Sequence, residues 1–185
     1  MSSITRIIDK TRSLINDLEQ SNLDSFIYVN SSIFTLGETA NSITFVEING
    51  VTTSSYSFNS STNKITISAS LTANDVVVIK YTYYAKYSDT EIKSYIDGAL
   101  SHISINGIKN FMIESGLRFY PYPTESEENL IAIITAILMK PLFNSYRTAT
   151  VSVSFPERQS KEEKIADIIG RFKHSSSSGL FFLSS

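Results

Sequence analysis

Two histidines, His102 and His174, are the side chains best suited to proton transfer in this chain of 185 residues. His102 stands beside Ser101 near the end of a helical stretch, and His174 opens a serine tract. Neither has a second metal-binding residue type at i+4, the spacing that sets two ligands on one helix face. A capping or solvated histidine is the simpler reading of both. Glu125, Glu127 and Glu128 cluster, with Glu114 close by in sequence. Paired carboxylates serve acid–base catalysis or calcium binding. Acids also gather in the first turn of a helix because they complement its macrodipole, and these three open one. Tyr81, Tyr83, Tyr84 and Tyr87 could stack on a sugar ring or a protein partner. Strand alternation puts Tyr81 and Tyr83 on one face and Tyr84 on the other. A half-buried strand carries the same residues with no ligand at all. The seven glycines are scattered. No glycine-rich phosphate loop precedes a helix, and no nucleophile elbow occurs. The expectation is a protein that is not an enzyme, with no catalytic residues, cofactor or metal.

Composition narrows the classes further. Hydrophobic residues make up 42% and charged residues 18% of the chain, enough to build a packed core. The net charge is -2, and the basic footprint of a duplex-DNA binder is missing. Cysteine is absent, which removes disulfides, thiol nucleophiles and cysteine-based zinc sites. The start of the chain, MSSITRIIDKTRSLINDLEQ, is charged and periodic and lacks the apolar run of a signal peptide. The most apolar stretch, Leu130 to Met139, is roughly half of what a bilayer span requires. These features point to a soluble protein with no membrane contact.

Several elements can be placed from periodicity. Residues 3–20 read as an amphipathic helix with Ile4, Ile7, Ile8, Thr11, Ile15 and Leu18 on one face. From about Phe26 the period changes to two, through "FIYVNSSIFTLG", "SITFVEING", "SYSFNSSTNKITISA" and "NDVVVIKYTYY". Asn49-Gly50 and Asn74-Asp75 mark turns. Helical period returns at Ser88, where Ser88 and Glu91 form a capping box and Ile92, Tyr95, Ile96, Ala99, Leu100 and Ile103 form a stripe that ends at Asn106-Gly107. Residues 108–123 read as an extended connector held by Pro121 and Pro123. A second capping box, Thr124 with Glu127, opens a helix that is apolar nearly all round. Such a helix belongs at the centre of a bundle or against a neighbouring subunit. "TATVSVSF" reads as a strand. A third box, Ser160 with Glu163, opens a last helix with Ile165, Ile168, Ile169 and Phe172 inward. The serine tract from Ser175 then gives reach to an apolar segment, Leu180, Phe181, Phe182 and Leu183, suited to docking on a partner.

The expected fold class is α+β: a small helical bundle from residues 1–25 and 88–174, an antiparallel β-sandwich or barrel inserted at 26–87, and a docking tail at 175–185. This order, with the capped helix "SDTEIKSYIDGALSHI" and the apolar helix "ENLIAIITAILMK", resembles the head–tail connector (adaptor) proteins of tailed bacteriophages. The β stretch also resembles small modules of phage virion proteins, with "V-x-I-N-G" before paired strands and a closing "D-V-V-x-I-x-Y". The resemblance implies a structural virion protein of the neck, assembled in the host cytoplasm into a homo-oligomeric ring, a dodecamer by family likeness. Its partners would be the portal protein, neighbouring adaptor subunits and tail or neck proteins. The genome would pass through the ring without sequence-specific recognition. The residues put forward for partner binding are Leu180, Phe181, Phe182, Leu183, Tyr81 and Tyr83. Two alternatives are another neck, tail-completion or baseplate protein, and a carbohydrate-binding adhesion module that uses the tyrosine-rich sheet.

Overall fold

Asn16 sits in the left-handed region, at φ 55°. An asparagine tolerates this conformation but a helix cannot continue through it. The first helix, α1 (Ser3–Leu14), therefore stops before the expected residue 20. Leu18, expected on its apolar face, is 61% exposed, and the next residue begins a strand, β1 (Glu19–Ile27). The computed structural model describes residues 3–114, 118–147 and 151–178. It is mixed α+β, with four helices and several small antiparallel sheets, none closed into a barrel among the described residues. The chain divides into two compact units. One is Leu18–Lys86; the other joins Met1–Asp17 to Tyr87–Ser185. The first boundary thus falls eight residues before the expected position 26, because β1 takes up a stretch that reads as polar and aperiodic.

The discontinuous unit is built on α3 (Glu125–Met139), against which α1, α2 (Asp89–Ile105) and α4 (Lys161–Ser178) pack. Its central place follows from its sequence. Every residue from Leu130 to Ile137 is buried, so no side of this part of the helix faces solvent. Each of the three later helices starts where a hydroxyl side chain and a glutamate three residues on satisfy each other's backbone N–H groups. The pairs are Ser88 with Glu91, Thr124 with Glu127, and Ser160 with Glu163. Helix α2 ends as Gly107 takes φ 67° and the Ile108 N–H reaches back to the Ile103 carbonyl. Its stripe is buried at Ile92, Ile96, Ala99, Leu100 and Ile103, while Tyr95 is 39% exposed.

Two parts of this unit differ from expectation. The connector after α2 contains a hairpin, β8 (Met112–Glu114) with β9 (Arg118–Tyr120), whose Phe119 is buried in the core. Three-residue strands give too few alternating positions to show a period. Helix α4 runs on through the serines to Ser178, where a linker was expected. Serine's modest helix propensity is overridden by a helix already nucleated and packed upstream. Of the expected strand "TATVSVSF", Ser152–Ser154 forms β11, paired with β10 (Ser145–Arg147), and residues 148–150 lie outside the described residues. Residues 179–185 do so as well.

The continuous unit holds two antiparallel sheets. One has the order β1, β7 (Val76–Tyr84), β3 (Ala40–Ile48), β4 (Val51–Thr53). The other has the order β2 (Ile33–Thr35), β6 (Lys64–Ile67), β5 (Tyr56–Asn59). Their inward residues make one core, with Phe34, Leu36, Val46, Ile65, Ile67, Val77, Ile79 and Tyr81 buried. Asn49 and Gly50, at φ 51° and 80°, close the β3–β4 hairpin, as their sequence predicts. Asn74, at φ 72°, stands just before β7, and Asp75 caps that turn. The Asp75 carboxyl is held below its ordinary range, chiefly by the Thr72 N–H and then by the Asn49 amide and the Thr72 hydroxyl.

Candidate interaction surface

Four charged side chains are buried among the described residues of the discontinuous unit: Arg12, Asp17, Glu128 and Lys164. Arg12 is 3% exposed and pairs with Asp17, itself 1% exposed. Its other terminal nitrogen donates to Asp89 Oδ1 at 2.7 Å. Asp17 is the last residue before the continuous unit and Asp89 opens α2, so one guanidinium fastens the residues flanking the interruption. A planar fork with several donors can serve two carboxylates at once, as a lysine ammonium cannot in fixed geometry. Glu128 is 4% exposed and accepts from Arg6 at 2.6 Å and Lys10 at 3.1 Å, clamping α1 to α3. Lys164, 1% exposed, donates to the carbonyls of Pro141 and Phe143 and to Asn144 Oδ1 at 2.8–3.1 Å. It places a cation beside the end of α3, where unsatisfied carbonyls and the negative pole of the dipole favour one.

The residues with possible chemistry are not brought together. Glu127 completes its capping box and pairs with Lys109 at 2.9 Å. Glu125 and Glu114 are exposed. His102 is half-buried and close enough to Glu162 to help hold that carboxyl below its ordinary range, after the helix N–H of Glu162 itself and Lys161. His174 is exposed on α4. No group of three metal-binding side chains is clustered among the described residues.

Tyr81 and Tyr83 do share one face, with ring centroids 6.4 Å apart, but that face is inward. Tyr81 is fully buried. Its hydroxyl donates to Asp24 Oδ2 at 3.0 Å and accepts from the Glu38 N–H at 3.0 Å and the Asn22 amide at 2.9 Å. Burial pushes its pKa up, opposed by the hydrogen bonds from Glu38 and Asn22. The ring is a core anchor that pins the loop after β2 to the edge strand β1, and it has no face to offer a sugar. Tyr83 donates to Gln20 at 3.1 Å and packs against the same core. Leu180, Phe181, Phe182 and Leu183 lie outside the described residues.

Two surface features remain. An open groove of about 640 Å³ runs beside α2, lined by Leu100, Phe111 and Ile113 and by Asp97, Ser101, Ser104 and Ile105. Ile105 on its rim is 84% exposed. The outward face of the four-stranded sheet carries Leu23 and Ile27, 54% and 64% exposed. Exposed apolar side chains grouped in this way mark contact surfaces more often than isolated ones do. No helix among the described residues is long and apolar enough to cross a membrane. Against known proteins, the chain matches no family model and no curated protein.

Proposed function

We propose that this chain is a structural virion protein: a head–tail adaptor of the tailed-phage connector type, forming a ring between portal and tail. The observation that carries the reading is the way the helical unit closes on itself. Its helices α1 and α2 both pack on α3, although 69 residues of another unit, Leu18–Lys86, separate them in sequence. Arg12 then binds the residue before the interruption and the residue that opens α2. This division supports reading the chain as a connector-like bundle that carries an inserted β-sandwich, the arrangement the resemblance implies. Insertion of this kind succeeds where the host's two ends already lie together. The charge inventory supports a scaffold role, since Arg12, Glu128 and Lys164 each serve packing. In this reading the helical unit supplies the ring, and Leu180–Leu183 dock on the portal or a neighbouring subunit.

The test is co-sedimentation of the chain with assembled portal rings of its own phage, with and without residues 179–185. The reading requires the full chain to pellet with the portal. It also requires the shortened chain to lose that binding while its melting temperature stays nearly unchanged. A full chain that never associates with portal rings would sink it.

A further inference from the structure

The outward face of the four-stranded sheet can be read row by row from the strand register. Leu23, Lys80 and Phe45 stand side by side across β1, β7 and β3. The next row on that face is Ser25, Val78, Glu47 and Thr52, and the one after it is Ile27 and Val76. The inward residues of the same strands, Val46, Val77, Ile79 and Tyr81, are all fully buried. The outward rows are therefore the second side of a sheet whose first side is already used. Five of the nine residues in these rows are apolar. Leu23, Ile27 and Val76 are 54%, 64% and 38% exposed, and Phe45 and Val78 are half-buried. An antiparallel sheet with one solvated face ordinarily alternates polar residues onto it. This face does not.

The two charges on the patch are placed unusually. Lys80 lies with its ammonium 5.9 Å from the centre of the Phe45 ring. Glu47 is half-buried two residues along the same strand as Phe45. Neither Lys80 nor Glu47 forms an ion pair among the described residues. The patch thus presents one cation and one anion, in adjacent rows and on adjacent strands, within an apolar surround.

We propose that this face pairs with the same face of a second copy of the chain. Consider a two-fold axis lying between the sheets, perpendicular to the strands, midway between the Lys80 row and the Val78 row. It sets each Lys80 row over the Val78 row of the other copy. Each Lys80 then lies one strand spacing, about 4.8 Å, to the side of the other copy's Glu47. Symmetry delivers the reciprocal pair, so both charges are matched at once. Leu23, Phe45 and Val78 are covered in the same step, and the Ile27 and Val76 row falls over the Ser21, Thr82 and Ser42 row of the other copy. A surface that carries both halves of its own complement is what an isologous contact requires. It also disfavours an acidic or a basic partner, since either would leave one charge buried and unmatched. The contact joins copies two at a time. It is separate from the ring-forming contacts of the proposed function and needs no portal.

Sedimentation velocity on the full chain tests it, across a concentration series reaching about 100 µM, where even a weak pair is populated. The expected result is a species of twice the 20.6 kDa chain mass. Ile27→Lys, at an exposed position, should weaken pairing by roughly tenfold or more while leaving the circular dichroism unchanged. Glu47→Lys and Lys80→Glu should each weaken it, and the two together should restore it. An equimolar mixture of the two single variants should also pair, because each carries the charge that the other lacks. A wild-type chain that stays monomeric throughout overturns the proposal. So does a pair indifferent to Ile27→Lys, which would place the contact elsewhere, or a double variant as weak as the singles. Portal binding retained by Ile27→Lys, with pairing lost, would separate this contact from the adaptor reading.

Discussion

Arg12→Met removes the cation that fastens the two sides of the interruption. The methionine keeps most of the buried aliphatic volume, so the loss is electrostatic and not a cavity. It leaves Asp17, 1% exposed, without the guanidinium it faces, and it also releases Asp89. The Asp89 contact contributes little, because that side chain is 57% exposed and solvent screens it. Breaking a buried pair by deleting one partner costs about 3–5 kcal/mol. At a urea dependence of about 2 kcal/mol/M, that moves the unfolding midpoint down by about 2 M. The assay is urea unfolding followed by circular dichroism at the helical band. Adding Asp17→Asn should recover part of the loss, so that the double variant falls short of the sum by about 1–3 kcal/mol. A cost for Arg12→Met below about 1 kcal/mol, or strict additivity with Asp17→Asn, would refute the view that this pair closes the helical unit.

Three further outcomes follow from the same structure. Ile134→Ala, at a fully buried position on the central helix α3, should cost about 2–5 kcal/mol in the same assay. A chain in which residues 18–86 are replaced by a short Gly/Ser linker should retain a helical spectrum, and loss of helix would show that the two units depend on each other. Tyr146 is fully buried, its hydroxyl donates to the Lys140 carbonyl at 2.5 Å, and burial pushes its pKa up to about 12. The folded state therefore holds this proton more tightly than the unfolded chain, whose tyrosine ionises near 10. The stability it contributes is complete below pH 10 and is lost as pH rises from there towards 12. Tyr146→Phe should flatten that alkaline limb relative to the wild type.

The elements that could be read from sequence are those with strong local signals. Three capping boxes fall where their residue types place them, because the hydroxyl and the glutamate satisfy specific N–H groups without help from distant residues. Asn49-Gly50 turns the hairpin for a comparably local reason. The centrality of α3 follows from having no polar side to turn outward. What sequence hid depends on contacts made elsewhere. Leu18 continues the apolar period of α1, yet the backbone has already left the helix at Asn16. Tyr81 looks like an exposed aromatic until Asn22, Asp24 and the loop after β2 are seen to satisfy its hydroxyl. Nothing in the spacing of Lys164 and Arg12 marks them as buried, and only the fold shows the carbonyls and carboxylates that hold them. The unpaired Lys80 and Glu47 became visible only once the register put them in neighbouring rows.

The proposed adaptor role rests most directly on assembly, and negative-stain imaging of the chain mixed with tailed-phage portal rings tests that proposal in one step. The account expects class averages with an added ring of density on one end of the portal, sharing its symmetry axis, and light scattering that reports many copies of the chain per portal. Portal rings with no added density, beside free chain that remains monomeric or paired, would contradict it.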